Sequence, residues 1–176
     1  MLAIGLLLGV SIALNLFLGG KVIALRSAVA NGNRDDQLEV GTLVQPINAT
    51  AIDGHRTQIN YAPGDVPTVL YFFSPTCDTC KRNVANVKRL ADIKRSEYKI
   101  IGLSLSDEGL EQYARNQELN FPVYAGLGVE TTLTYKLGRV PQTTVISGDG
   151  RVMANWYGAY DGKLRTTIES YFQFSY

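Results

Sequence analysis

The sequence predicts an α/β domain, a mixed sheet covered by helices on both faces, preceded by one membrane-spanning helix. Three observations carry that reading. An uncharged apolar stretch occupies the extreme N-terminus, apolar runs of strand length alternate with segments of helical period, and glycine- and proline-rich turn signals separate them. Once the N-terminal stretch is set aside, about 140 residues remain, enough for one domain with one sizeable core. A formal net charge of +1 gives no electrostatic case for nucleic-acid binding. The 45% hydrophobic content is ordinary once the N-terminal stretch is counted within it.

Leu2 to Leu18 carries no charge, with Ser11 and Asn15 as its polar interruptions and Gly19-Gly20-Lys21 at its end. At a helical rise of about 1.5 Å per residue it spans roughly 26 to 29 Å, enough for a bilayer core, so residues 1–20 read as a single membrane anchor. A cleaved signal peptide fits less well. The cleavage-like Ala28-Val29-Ala30 is separated from the stretch by residues that include Lys21 and Arg26, and a basic leading region is missing. Apolar character all round the helix argues against a core helix of a small domain. A literal positive-inside count, with Lys21 and Arg26 after the stretch, would keep the domain in the cytoplasm. Residues 21–37, with the polar run Asn31-Gly32-Asn33-Arg34-Asp35-Asp36, read as a tether, and 38–176 as the folded domain.

Within the domain, Gly41 to Ile59 holds two short extended runs around Asp53-Gly54, an N-terminal β-hairpin. Pro63-Gly64-Asp65 breaks the chain before a strand at Thr68–Phe73. A helix is expected over Asp78–Lys94, with Val84, Val87, Leu90 and Ile93 inward and Lys81, Arg82, Lys88 and Arg89 on solvated faces. A strand at Tyr98–Ser104 leads to a helix at Asp107–Gln117 with Ser106 as N-cap. Phe121–Tyr124 follows as a short strand and Val129–Leu137 as a helical stretch. A strand at Thr143–Ile146, the turn Ser147-Gly148-Asp149-Gly150, a strand at Arg151–Trp156 and a helix at Asp161–Phe172 complete the domain.

The two cysteines of the chain stand together as Cys77-Asp78-Thr79-Cys80, after the first central strand and at the start of the first helix. Thiol–disulfide exchange needs that arrangement, because the thiolate is the nucleophile and a helix N-terminus stabilises negative charge. The second sulfur, one helical turn on, is placed to resolve a mixed disulfide made by the first. A structural zinc site would need more ligands, and after these thiols the chain offers His55, in a turn-like stretch. A purely structural bridge would close a very small loop and stabilise the fold by about 2 kcal/mol or less.

The chain resembles the thioredoxin superfamily, and within it the membrane-tethered, extracytoplasmic TlpA/ResA-like group, over roughly Val40 to Tyr171. The carriers are Phe72-Phe73-Ser74-Pro75-Thr76-Cys77-Asp78-Thr79-Cys80-Lys81 and, downstream, Leu137-Gly138-Arg139-Val140-Pro141-Gln142-Thr143-Thr144-Val145-Ile146 with Gly148-Asp149-Gly150-Arg151-Val152. The resemblance implies a thioredoxin-like fold and a catalytic pair, Cys77 and Cys80. It implies a cis proline at Pro141 lying against the disulfide, with substrate contacts from Val140, Pro141 and Thr76. X-Pro is the bond where cis costs little, and proline leaves no donor beside the sulfurs. Val140 then has its backbone N–H and C=O to offer to an extended substrate segment. The intervening Asp78 and Thr79 are the redox-tuning positions. Asp78 favours the helix start yet opposes a second negative charge beside it, so reductant and oxidant both stay open.

Several positions depart from the family pattern. Tyr71 stands where thioredoxins commonly bury an acid behind the disulfide, so water, another acid or the phenol must serve the second thiol. Pro75-Thr76 replaces the tryptophan that often precedes the first cysteine, and Thr79 replaces the proline between the pair.

The expectation is a single-pass membrane protein, its domain on the periplasmic side. It would exchange disulfides with protein thiols and draw electrons from a transmembrane thiol donor, with cytochrome or periplasmic protein maturation downstream. No cofactor or metal is expected beyond the Cys77–Cys80 disulfide. Two other classes compete. A peroxiredoxin-type peroxidase usually shows Pro-x-x-x-Thr-x-x-Cys, but Leu70 and Ser74 occupy those positions before Cys77. A non-catalytic tethered scaffold would keep the cysteines for stability alone. Tyr157, Tyr160, Tyr171 and Tyr176 gather near the C-terminus and, like Trp156, read as packing residues. Asn48-Ala49-Thr50 matches a glycosylation sequon without a setting that would use it.

Overall fold

The computed structural model describes residues 37–175 together with Lys21. The expected anchor at 1–20 lies outside the described residues, as does nearly all of the 21–37 tether. Among the described residues no helix is long and apolar enough to cross a membrane. Leu38–Tyr176 forms one compact unit.

Seven strands make one mixed sheet. They are β1 (Ile47–Ala51), β2 (Arg56–Ile59), β3 (Thr68–Phe73), β4 (Lys99–Ser104), β5 (Val123–Ala125), β6 (Gln142–Ile146) and β7 (Val152–Tyr157). Their order across the sheet is β2-β1-β5-β4-β3-β6-β7. Among the described residues the helices are α1 (Asp78–Lys94), α2 (Leu110–Asn116), α3 (Val129–Thr134) and, after the last strand, α4 (Gly162–Phe172).

The central strand β3 runs parallel to β4 and antiparallel to β6, and all six of its residues are buried. A continuous apolar run is what a strand covered on both faces requires. Its side chains alternate: Val69, Tyr71 and Phe73 enter a core with Val84, Val87 and Leu90 of α1, Tyr113 of α2 and Ile168 and Phe172 of α4. Leu70 and Phe72 enter a second core on the other face, with Ile47, Ile59, Tyr135, Leu137 and the N-terminal Leu38 and Val44. The β1–β2 hairpin turns at Gly54 (φ +87°), where the Ala51 N–H donates to the His55 carbonyl at 2.9 Å. It joins the sheet through β1 against β5.

Four local expectations shift. Ile93 is 42% exposed, while Ala91 and Lys94 turn inward. Steps of three residues drift by about −60° each on a helix, so after three steps Ile93 faces away from Val84. Helix α2 starts at Leu110 because Gly109 is left-handed (φ +68°), and Ser106 instead caps the preceding turn by accepting the Glu108 N–H at 3.2 Å. Strand β5 starts at Val123, one residue after Pro122, which has no N–H for the ladder. Helix α3 stops at Thr134: Lys136 takes φ +50°, and the Leu137 N–H closes back onto the Thr132 carbonyl at 3.0 Å.

Candidate active site

Strand β3 ends at Phe73, and Ser74-Pro75-Thr76 turns the chain so that the Cys77 N–H donates to the Ser74 carbonyl at 3.1 Å. Cys77 is the N-cap of α1. Its backbone is extended, and its sulfur accepts the Cys80 N–H at 3.1 Å, the place a serine or aspartate oxygen would take in an ordinary cap. The two cysteines form a disulfide with Cα atoms 5.2 Å apart. Cys80 has no exposed surface, whereas Cys77 is half-buried. An incoming sulfur therefore meets Cys77 first.

The loop between α3 and β6 closes over this pair. The Val140–Pro141 peptide is cis, and the Val140 carbonyl oxygen lies 3.9 Å from the Cys77 sulfur. Pro141 is buried, and its carbonyl accepts the Gly158 N–H at 2.8 Å, which ties the loop to the end of β7. The structure thus brings Cys77, Cys80, Val140 and Pro141 together. Thr76 stands exposed beside them, its hydroxyl 3.0 Å from that of Ser74. Asp78 is exposed and paired with Lys81 at 3.2 Å, and the Thr79 hydroxyl accepts from Arg82 at 3.2 Å. His55 lies instead on the exposed β1–β2 turn, where its backbone N–H donates to the Asp53 carboxylate at 3.1 Å and, with its ring also at 3.1 Å, holds that carboxyl below its usual range.

Behind Cys80 the core is polar but uncharged. The Tyr71 hydroxyl donates to the Cys80 carbonyl at 3.4 Å, and burial holds this phenol well above the ordinary range. It is a hydrogen-bond donor at neutral pH and no base. Asn83, fully buried one turn after Cys80, accepts the Tyr160 N–H at 2.7 Å and the Asn86 amide at 3.1 Å. The Tyr160 hydroxyl meets Thr143 at 2.7 Å, and burial raises its pKa too.

Two supporting residues were not legible as such in the sequence. Gln142, fully buried next to Pro141, donates its amide to the Tyr135 carbonyl at 3.0 Å, to Asn155 at 3.1 Å and to Thr144 at 3.2 Å. Arg139 places its guanidinium 5.2 Å from the centroid of the Tyr157 ring. Their only sequence signal was proximity to Pro141.

The comparisons with known proteins agree with this geometry. The model of the AhpC/TSA family matches residues 40–155, well over half of the chain. The chain is 32% identical over 119 residues to the methylamine utilization protein MauD of Paracoccus versutus, a match covering 66% of this chain and 57% of that one. It is 21% identical over 141 residues to the thiol-disulfide oxidoreductase ResA of Bacillus cereus, covering 78% of this chain and 79% of that one. Among solved structures, the thioredoxin domain of a thiol-disulfide oxidoreductase from Bacteroides vulgatus superposes with a TM-score of 0.63 at 15% identity, over 77% of this chain and 99% of that one. The chain belongs to the AhpC/TSA family, as a TlpA/ResA-like member of the thioredoxin superfamily.

Proposed function

We propose that the protein is a membrane-anchored thiol–disulfide oxidoreductase that exchanges disulfides with protein substrates through Cys77 and Cys80. The observation that carries this reading is the asymmetry of the pair. One sulfur is accessible at a helix N-cap, the other is buried one turn behind it, and the Val140 carbonyl flanks the accessible one at 3.9 Å.

In the reducing direction the Cys77 thiolate attacks one sulfur of a substrate disulfide. That S–S bond breaks, a mixed disulfide forms, and the displaced substrate thiolate takes a proton from water. Cys80 then loses its thiol proton to water and attacks the Cys77 sulfur; the Cys77–substrate S–S bond breaks, the substrate sulfur leaves as a thiolate that takes a proton from water, the Cys77–Cys80 disulfide forms, and two electrons have passed from the dithiol to the substrate. The oxidising direction is the reverse. Val140 offers its backbone to the substrate strand, Pro141 keeps a backbone donor away from the sulfurs, and Thr76 borders the same contact. Asp78 and Thr79 tune the pair; with Asp78 countered by Lys81, its opposition to the thiolate is weakened.

Residues 1–20 anchor the domain, which faces the periplasmic side in this reading, and a transmembrane thiol donor re-reduces it. Tethering raises its effective concentration near such a partner. Its substrates are thiols of periplasmic proteins undergoing maturation, cytochromes among them. The disulfide serves as its own redox centre, with no further cofactor.

The family also suggests a peroxidase, which the same experiment separates. The full-length chain in detergent micelles is equilibrated in glutathione buffers and its thiols are trapped by alkylation, with Cys77→Ser as blank. A reversible two-electron couple supports the reading. A value near about −270 mV marks a reductant and one near about −120 mV a disulfide donor. Turnover of hydrogen peroxide without a protein substrate would instead mark a peroxidase. No reversible couple at any poise leaves the scaffold role.

A further inference from the structure

We propose that Arg139 selects substrates carrying an acidic side chain beside the cysteine they exchange. The proposal rests on the exchange reading above and adds the chemistry of the partner to it.

Arg139 immediately precedes Val140, whose carbonyl touches the Cys77 sulfur. Its guanidinium lies over the Tyr157 ring, and the Tyr157 backbone is tied to the same loop. Tyr157 pairs with Gln142 across the β6–β7 ladder, and the next residue, Gly158, donates to the Pro141 carbonyl at 2.8 Å. A guanidinium held against an aromatic ring by a cation–π contact still has N–H groups to offer, and a planar fork of them matches a carboxylate two at a time. The ring contact also narrows the side chain's freedom in advance, so less is lost when a carboxylate binds.

The surrounding charges leave this cation without a counter-charge. Asp78 is the acid nearest in sequence to the sulfurs, and Lys81 holds it at 3.2 Å. Arg82 adds a second exposed cation on the same turn, bonded to the neutral Thr79 hydroxyl. Arg139 itself is exposed, and among the described residues no carboxylate lies within ion-pair distance of it. An extended substrate strand advances about 3.3 Å per residue. With its backbone at Val140 and its sulfur at Cys77, a residue flanking its cysteine comes within reach of the side chain next to Val140, that of Arg139. An acid there gains a bidentate partner, and a lysine there meets repulsion.

The test uses the reduced full-length protein in detergent and disulfide-linked peptides identical except for Asp, Asn or Lys on either side of the cysteine. Second-order rates are expected in the order Asp, Asn, Lys, with Asp ahead of Asn by up to about fivefold, the upper end of the range of an exposed ion pair. The lead shrinks at high salt. Arg139→Gln brings the Asp-to-Asn ratio close to one. Arg139→Lys keeps the charge without the planar fork and gives an intermediate ratio. Arg56→Gln, on the distant edge strand β2, keeps the wild-type ratio. An unchanged ratio in Arg139→Gln overturns the proposal. So does an equal slowing of all three peptides, which would mean that Arg139 acts on the Cys77 sulfur rather than on the substrate. If the reduced wild-type protein exchanges with no peptide disulfide, the exchange reading itself falls and the proposal falls with it.

Discussion

Cys80 donates its backbone N–H to the Cys77 sulfur across one helical turn, at 3.1 Å, yet of the two side chains only Cys77 reaches the surface. In the exchange proposed for this pair the first attack on a substrate falls to Cys77, and removing Cys80 should arrest the reaction at the mixed disulfide. Cys80→Ser is expected to accumulate a covalent adduct with a disulfide-bearing peptide, visible by non-reducing mass spectrometry. Cys77→Ser should form at least about tenfold less, since a buried thiol is poorly accessible and its thiolate is disfavoured. Equal trapping by both variants would contradict the assigned order.

Five tyrosines in or against the cores should respond together at alkaline pH. Burial pushes the Tyr61 and Tyr113 phenols up to about 12 and raises Tyr71, Tyr135 and Tyr160 as well. An acid whose folded pKa lies above its unfolded value of about 10 stays protonated in the fold while the unfolded chain ionises. Its stabilising contribution is complete below about pH 10 and is lost as pH rises toward 12, by up to about 1.4 kcal/mol per pH unit for each group. Urea midpoints should hold between about pH 8 and 9.5 and drop steeply by about pH 11. The phenolate absorbance of these five should appear together with unfolding. Full ionisation while the fold persists would refute the argument.

A glycine whose role comes from space rather than turn geometry is Gly148. A Cβ there would lie 2.7 Å from the Asp65 carbonyl oxygen and 2.8 Å from that of Ala62. Both are backbone atoms of the turn before β3, held by the Asp65 N–H donating to Ala62 at 3.0 Å, so neither can swing aside as a side chain would. Gly148→Ala should cost about 1–3 kcal/mol. Gly138→Ala, where a Cβ meets nothing within 4 Å, should stay within about 0.5 kcal/mol of wild type. Chemical denaturation of the two variants compares them directly, and equal stabilities would sink the idea.

How much of this was readable beforehand follows the range of the interactions. The run Thr68–Phe73 and the helix Asp78–Lys94 have the expected bounds, because six apolar residues and a capped amphipathic segment are local signals. The Cys77–Cys80 pairing is legible because their spacing is itself one helical turn. The start of α2 was missed because one left-handed glycine, Gly109, outweighed a good cap at Ser106. Ile93 was placed inward by a three-residue pattern that a real helix does not sustain. The residues that support the active-site loop were hidden for a different reason. Gln142 reaches Tyr135 and Asn155, and Arg139 reaches Tyr157, partners that only the fold brings together.

Gln142 offers the sharpest test of that hidden support. Its amide holds the Tyr135 carbonyl at the end of α3 and the Asn155 and Thr144 side chains, and its own Oε1 is buried with no hydrogen-bond partner among the described residues. Gln142→Leu removes the donor and should cost about 1–3 kcal/mol through the acceptors left bare. Gln142→Glu puts a carboxylate among those same acceptors. Burial and the missing donors push such a carboxyl above its unfolded value of about 4.3. A raised folded pKa makes its contribution present at low pH and lost as pH rises, so Gln142→Glu should be more stable near pH 5 than near pH 8, with a gap of about 1 kcal/mol or more. Gln142→Leu should show no such gap relative to wild type. In both variants the loop that carries Val140 loses its anchor, and exchange with peptide disulfides should slow by about tenfold, as a misplaced contact group does. Thermal midpoints at the two pH values and exchange rates on the same samples check both parts. Wild-type stability and rate in either variant would show that the Val140–Pro141 loop is held by the Gly158 N–H alone.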